Sequence, residues 1–233
     1  MKIGLFGVST VNRGKHNLKD PRFDQADKLV EADKKTYAQV DVIGEEQLLD
    51  ADAILTSQDS KADLILKDLE FVETRLGRDP QPAERATLEK IRALLENEKF
   101  ILGAGLSAEE LQSVAAHSFI TNKPITVAAD GDLQNPEALL LRAFADGGYI
   151  CFLTVGGKEN RAWPIRKGMS ALEAAGSIHT DMQKGFIRAE IIGFADFIAA
   201  GGETEAKRAG KLRLEVKQYI MQDYDLVNFR FNK

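Results

Sequence analysis

The residues that could bind a nucleotide phosphate are Gly14 and Lys15, and Asp41 could sense its magnesium ion. A phosphate-binding loop follows a strand with the spacing G-x-x-x-x-G-K-[ST]. Its backbone N–H groups surround the phosphates, its Lys reaches the outer ones, and its hydroxyl holds Mg²⁺. Here Ser9 stands where the first Gly belongs, and His16 replaces the hydroxyl residue. Because an imidazole is a poor ligand for hard Mg²⁺, the pattern predicts an eroded phosphate loop. The alternative is a strand followed by an ordinary surface loop.

Two further patterns are too weak to predict chemistry by themselves. Asp41-Val42-Ile43-Gly44 matches the pattern D-x-x-G, which turn chemistry alone can explain. The predicted strand 125–129 is followed by Asp130-Gly131-Asp132, without the Asn that would read a purine base. We therefore predict no catalytic residue and no metal ligand. No cofactor is expected, and ATP or GTP would bind only if a vestigial site of Gly14, Lys15 and Asp41 still functions.

Basic side chains near the end of the chain are the candidates for partner contacts. Residues 149–233 hold 13 Lys/Arg and 10 Asp/Glu, a charge of +3, whereas residues 1–148 hold 18 and 26, a charge of −8. Basic side chains can hold phosphate oxygens of RNA, and the alternative for each is a solvated surface charge. The candidates are Lys158, Arg161, Arg166, Lys167, Lys184, Arg188 and Arg213, with His179 as a nearby polar group.

The elements that must position these residues divide the chain at Asp146-Gly147-Gly148. Before this boundary, hydrophobic periodicity predicts α/β structure with a first strand over 2–6 and a second over 36–43. It also predicts a helical hairpin over 62–99, because two amphipathic stretches flank Asp79-Pro80-Gln81-Pro82. After the boundary, two strands, a helix and further short strands predict a compact α+β domain of β-grasp size over 149–233.

Composition is typical of a globular cytoplasmic protein. Apolar residues make up 44% of the 233 and charged residues 29%. The N-terminus lacks the long apolar core of a signal peptide, and no apolar run is long enough to span a bilayer. The single Cys151 lies in a predicted apolar strand, which favours a buried small side chain over a nucleophile.

The segment 149–233 resembles the C-terminal TGS domain of the YchF/Obg-like P-loop NTPases, and a thinner resemblance continues upstream. Upstream, Asp20-Pro21-Arg22-Phe23-Asp24 and the stretch 64–76 are similar to the family's segment before D-x-x-G and to its coiled-coil arm. The residues that carry the C-terminal resemblance include Thr154-Val155-Gly156, Arg161-Ala162-Trp163, Ile165-Arg166-Lys167-Gly168, Ala174-Ala175-Gly176, Ile178-His179-Thr180-Asp181, Gly185-Phe186-Ile187 and Phe229-Arg230-Phe231-Asn232.

This resemblance implies the remnant of a P-loop G domain with a helical-hairpin insertion over 1–148, followed by a β-grasp TGS domain over 149–233. The departures at Ser9, His16 and Asp130 imply a degenerate relative that has lost hydrolysis. A non-catalytic protein that binds RNA, the ribosome or a regulatory protein partner is therefore predicted. Two alternatives remain open: a residual GTP- or ATP-binding protein with weak or no hydrolysis, and a dimerising protein that uses the hairpin as its contact surface.

Overall fold

The computed structural model of the chain describes residues 1–232. Within them, no helix is long and apolar enough to cross a bilayer. The strands are β1 (Lys2–Phe6), β2 (Gly14–Asn17), β3 (Lys34–Thr36), β4 (Gln39–Ile43), β5 (Ala53–Ser57), β6 (Ile125–Ala128), β7 (Tyr149–Thr154), β8 (Glu159–Arg166), β9 (Phe186–Ile192), β10 (Arg213–Glu215) and β11 (Leu226–Phe231). The helices are α1 (Pro21–Asp27), α2 (Lys61–Leu76), α3 (Pro82–Glu96), α4 (Ala108–Ser113), α5 (Pro136–Asp146), α6 (Ala171–Ile178), α7 (Thr180–Lys184), α8 (Phe194–Ala200) and α9 (Glu203–Arg208), with short 3₁₀ turns at Glu45–Asp50 and Asp132–Gln134.

Contacts divide the chain into two compact units. Unit 1 contains Met1–His16 and Val40–Gly147, and unit 2 contains Asn17–Gln39 together with the chain from Gly148 onward. The sequence predicted the ranges 1–148 and 149–233, so the difference lies in residues 17–39. This segment packs with the C-terminal strands because β3 pairs in parallel with β8, at Lys34 to Glu159 and at Thr36 to Arg161. Local sequence patterns do not reveal a strand pair so distant along the chain.

The sheet of unit 1 has the order β2-β4-β1-β5-β6. Strand β1 is parallel to both β4 and β5, and β5 is parallel to β6. All five residues of β5 are buried, as expected for the centre of a parallel sheet that is covered on both faces. This arrangement confirms a G-domain-like α/β fold for the N-terminal part of the prediction.

Helices α2 and α3 form the predicted hairpin of unit 1. Val72 of α2 and Leu88, Ile91 and Leu95 of α3 are almost fully buried in one cluster. Gly77 ends α2, and Pro82 occupies the first turn of α3, where its missing N–H costs no hydrogen bond. The hairpin therefore has its own apolar core.

The sheet of unit 2 has the order β10-β9-β11-β7-β8-β3. Strands β7 and β8 form an antiparallel hairpin, β11 lies parallel to β7, and β9 runs antiparallel to β11. Helix α6 begins at the capping box of Ser170 and Glu173. Its Ala171, Ala174 and Ala175 pack against Phe152 and other apolar side chains on one face of the sheet. Mixed pairing and one packed helix give an α+β arrangement.

The sequence had predicted one strand over 36–43, and this was wrong. The structure has two strands, β3 (Lys34–Thr36) in unit 2 and β4 (Gln39–Ile43) in unit 1. Between them Leu18 N–H donates to the carbonyl of Ala38, which holds the connecting residues to the segment before α1. Alternating apolar residues continue through this connection, so the pattern alone could not show the break.

Candidate functional site

A cleft lies at the carboxyl ends of β1 and β4, the edge at which ligands bind in open parallel sheets. Its lining includes Gly7, Ser9, Arg13 and Glu45. Gly7 has a φ of +63°, and its N–H donates to Oε1 of Glu45 at 3.3 Å. Arg13 Nη1 lies 2.7 Å from Oε1 of Glu46. A backbone N–H and a guanidinium at this edge are therefore both held by carboxylates of the chain itself.

The structure places the three predicted nucleotide-site residues in strands. Gly14 and Lys15 lie in β2, the edge strand of the sheet, and Lys15 is exposed. Asp41 lies within β4, where it pairs with Lys2 at the beginning of β1. Leu5 and Gly44, which line the cleft, lie three residues beyond Lys2 and Asp41 along the chain, so Asp41 lies roughly 10 Å from the cleft at about 3.3 Å per residue. The cleft and Asp41 therefore occupy opposite ends of β1.

The segment after β6 forms a tight turn that its own side chain stabilises. Asp132 Oδ2 accepts hydrogen bonds from Ala129 N–H and from Arg142 Nη1, both at 2.9 Å. The hydrogen bond from the Ala129 N–H contributes most to lowering the pKa of the Asp132 carboxyl below its ordinary value, and the bond from Arg142 lowers it further. Asp130 is exposed. The carboxylate of Asp132 is therefore used within the turn.

Four of the eight partner candidates already have partners within unit 2: Arg161, Arg166, His179 and Arg213. The guanidinium of Arg166 lies over the Tyr149 ring at 4.7 Å. Arg161 lies over the Trp163 ring at 4.0 Å, and Nδ1 of His179 accepts from Asp181 N–H at 3.1 Å. Arg213 Nη2 donates to the hydroxyl of Tyr219 at 3.1 Å, and that hydroxyl donates to Asp225 Oδ2 at 2.9 Å.

Burial raises the pKa of Tyr219 to about 12, so its hydroxyl remains a donor to the buried carboxylate at neutral pH. The hydrogen bond from Arg213 to Tyr219 therefore stabilises the loop before β11, and it makes the Arg213 guanidinium less available to a partner.

The remaining candidates are more accessible. Among residues 1–232, Lys158, Lys167, Lys184 and Arg188 make no ion pair within 4.0 Å and are exposed.

The structure does not gather these basic residues into one patch. Lys158 lies in the turn before β8 and Lys167 follows its last residue, so the length of β8, roughly 26 Å at about 3.3 Å per residue, separates them.

Sequence reasoning missed Arg230, which lies directly opposite Arg188 on the neighbouring strand. Arg230 is ion-paired with Glu190, and Asn228 Nδ2 donates to the same carboxylate at 2.8 Å. Like charges directly opposite each other destabilise a strand pair, and Glu190 compensates one of the two. Arg188 and Arg230 are thus two basic residues that the sheet places directly opposite each other. Recognising that Arg188 and Arg230 face each other requires the register between β9 and β11, and the sequence alone does not contain it.

Comparison with known proteins gives one family match and several relatives. Residues 149–232 match the family described as YchF-GTPase_C, protein of unknown function (DUF933). The chain is 34% identical over 232 residues to the ribosome-binding ATPase YchF of Haemophilus influenzae, covering 73% of this chain and 64% of that protein. The Bacillus subtilis protein of the same name is 30% identical over 235 residues, with the same coverage. The chain therefore spans 64% of the length of these relatives.

A third relative and a solved structure agree with this match. The Obg-like ATPase 1 of Danio rerio is 52% identical over 104 residues, 42% of this chain and 26% of that protein. The structure of the Schizosaccharomyces pombe YchF GTPase superposes with a TM-score of 0.77 at 18% identity, covering 99% of this chain and 97% of that chain. At this identity the superposition establishes the fold. The chain is a relative of the YchF/Obg-like ATPases and carries the YchF C-terminal domain over residues 149–232.

Proposed function

We propose that this chain is a non-catalytic cytoplasmic binding protein whose C-terminal domain, a β-grasp TGS domain, contacts the ribosome. Two observations support the partner and the domain type. Curated relatives are named ribosome-binding ATPases. In unit 2, a β7–β8 hairpin, a packed helix α6 and a strand β11 parallel to β7 give the arrangement expected of a β-grasp fold.

The observation that carries the non-catalytic part is the path of the chain after β1. A phosphate cradle needs free backbone N–H groups and a helix N-terminus directly after the strand. Here β1 is followed by a loop and then by strand β2, which contains Gly14 and Lys15. The Gly7 N–H donates a hydrogen bond to the carboxylate of Glu45, and Glu46 forms an ion pair with Arg13. Two carboxylates at this edge would repel a nucleotide polyphosphate.

Nucleotide binding is tested by thermal shift of the purified protein with millimolar Mg-ATP or Mg-GTP. A ligand that binds only the folded state raises the melting temperature, and we expect no shift. The matched variant Glu46→Gln removes the carboxylate that holds Arg13 and keeps the side-chain shape. A nucleotide-dependent shift in the wild type would refute the proposal in favour of a residual nucleotide-binding protein.

That second candidate function has one specific observation in its favour. Arg13 lies in the cleft at the carboxyl ends of β1 and β4, where a guanidinium could hold a phosphate once released from Glu46. If Arg13 has this role, Glu46→Gln should release it and increase the thermal shift produced by nucleotide. If the cleft has no such role, the variant should show no response to nucleotide.

Ribosome binding is tested by co-sedimentation with purified ribosomes over a series of salt concentrations. We expect binding that weakens with salt, because basic side chains on phosphates release counterions. Lys158→Glu, Lys167→Glu and Arg188→Glu should each reduce the pelleted fraction. Lys99→Glu, an exposed lysine in unit 1, is the matched control and should not. Absence of the wild-type protein from the pellet at low salt would exclude the ribosome as its partner.

A further inference from the structure

Strand β10 lies at the edge of the unit 2 sheet and has a neighbour on one side only. Its residues Arg213–Glu215 pair antiparallel with β9. In the part of the chain that the structure describes, no backbone hydrogen bond outside that ladder involves these three residues. The outward N–H and C=O groups of β10 are therefore open to pairing with another extended segment.

Three large apolar side chains are exposed at or just after this edge. Leu214 is 60% exposed, Val216 is 43% exposed and Ile220 is 48% exposed. Natural proteins usually protect an edge strand by keeping it short, by charged side chains, by a bulge or a proline, or by a covering element. Here the two charges within β10, Arg213 and Glu215, are of opposite sign. A facing strand with like charges at these two positions would be repelled. A strand that places an acidic residue opposite Arg213 and a basic residue opposite Glu215 would pair favourably.

We propose that β10 pairs antiparallel with β10 of a second copy of this chain. A two-fold axis at Leu214 places Arg213 of each copy directly opposite Glu215 of the other. Residues opposite each other in an antiparallel pair have Cβ atoms about 4.5–5.5 Å apart, close enough for an ion pair. On the other face, Leu214 meets Leu214 of the second copy, and Val216 meets Leu212. The contact is isologous, so both copies use the same surface.

The order of charges is the reason to assign a second copy rather than an unrelated segment. Within one copy, Arg213 Nε and Glu215 Oε1 are 3.7 Å apart, and their side chains are 49% and 25% exposed. Both are therefore partly accessible to a facing strand, although for Arg213 the new pairing competes with its hydrogen bond to Tyr219. The same register sets Lys211 against Lys217, a repulsion reduced because Lys211 Nζ already lies 3.0 Å from Asp196.

The proposed contact is only one short strand wide. Stable interfaces bury about 1,200–2,000 Å² in total, more than such a contact offers. The dimer is therefore weak, with a Kd on the order of 10⁻⁴ M. This inference does not depend on the proposed ribosome partner or on the nucleotide question.

Sedimentation velocity of the full chain, from about 10 µM to about 1 mM, measures the association directly. We expect the wild type to show a concentration-dependent dimer. Glu215→Arg and Arg213→Glu each set like charges against each other at both pairs across the axis, so each should weaken association by about tenfold or more. Leu214→Lys brings two lysines together at the axis and should do the same.

An equimolar mixture of the Arg213→Glu chain and the Glu215→Arg chain is the decisive control. In that heterodimer, both facing pairs again have opposite charge, so association should return to the wild-type level. Arg213 also donates a hydrogen bond to Tyr219, so the melting temperature of each variant is measured first to detect loss of folding. The two variants Glu215→Arg and Leu214→Lys test the association without changing Arg213. A wild type that remains monomeric at about 1 mM overturns the proposal, as does a dimer that none of these variants weakens.

Discussion

Asn160 is the residue that should matter most for attaching residues 17–39 to unit 2. It is fully buried in β8, and all of its amide hydrogen bonds join different segments. Its Nδ2 donates to Asp27 Oδ1 and to the carbonyl of Val30, both at 2.9 Å, and its Oδ1 accepts from Gly156 N–H at 3.2 Å. One side chain thus connects the end of α1, the residues after it and the β7–β8 turn.

The cost of Asn160→Ala follows from these three bonds. A neutral hydrogen bond contributes about 1 kcal/mol net, and loss of one partner leaves the other buried and unsatisfied at about 1–3 kcal/mol. Loss of the bond to Asp27 should cost less than loss of the others, because Lys35 Nζ lies 3.2 Å from the same carboxylate and remains as its partner. We therefore expect a loss of about 3 kcal/mol in the free energy of unfolding of unit 2.

Urea unfolding followed by tryptophan fluorescence measures this change selectively. The chain has a single tryptophan, Trp163, which packs against the core of unit 2, so its emission reports on that unit. Asn17→Ala is the matched control, because Asn17 belongs to the same unit but is exposed, and its cost should stay below about 0.5 kcal/mol. If Asn160→Ala also costs less than about 0.5 kcal/mol, the segment 17–39 is not held as described.

Three further outcomes are expected. The Arg75 guanidinium, with Nε at 2.6 Å, holds the pKa of the Glu84 carboxyl at about 2, below its ordinary 4.5. The stability that this pair contributes is therefore present above pH 4.5 and is lost as the pH falls toward 2, and Glu84→Gln should flatten that part of an acid-unfolding curve. The thiol of Cys151 is buried and its pKa is raised, so native protein should resist a thiol reagent that reacts with one thiol per chain in urea. Tyr224→Gly should destabilise unit 2 by about 2–4 kcal/mol, because loss of a buried aromatic ring under the Arg22 guanidinium outweighs about 1 kcal/mol of relieved strain at φ +63°.

Each of these outcomes has a result that would contradict it. An acid-unfolding curve that Glu84→Gln leaves unchanged would mean that the pair with Arg75 contributes nothing. Rapid modification of Cys151 at a rate equal to that in urea would mean that β7 opens readily. A more stable Tyr224→Gly variant would mean that the left-handed backbone at this position costs more than the ring contributes.

The sequence predicted best where the determining interactions are local. Helix hairpin α2–α3 follows from apolar spacing and from the prolines between its arms. The capping boxes at Ser107 and Ser170 are both present as hydrogen-bonded pairs with the glutamate three residues on. Each of these signals needs only residues within a few positions, so one chain segment carries all the information.

Strand β2 was missed because its sequence lacks the pattern of a strand. Strand β2, with the sequence Gly14-Lys15-His16-Asn17, has no β-branched or apolar residue, and its residues are exposed or half-buried in alternation. A Gly-Lys pair shortly after a strand therefore suggested the end of a phosphate loop. His117 is a similar case: its Nε2 lies 2.8 Å from Glu84 Oε1, which is 33 positions earlier. Partners so distant in sequence cannot be read from local spacing.

The limits of unit 2 show the same principle at the scale of a domain. Both the family match and the C-terminal domain predicted from the sequence begin at Tyr149. The packing unit extends further, since Arg22 Nη1 lies 2.6 Å from Asp223 Oδ2, and Asp223 Oδ1 accepts from Cys151 N–H at 3.0 Å. Residues 17–39 therefore supply an edge strand and buried polar contacts that the segment after residue 148 cannot replace. The compact unit thus joins two parts of the chain, although the residues between them fold into unit 1.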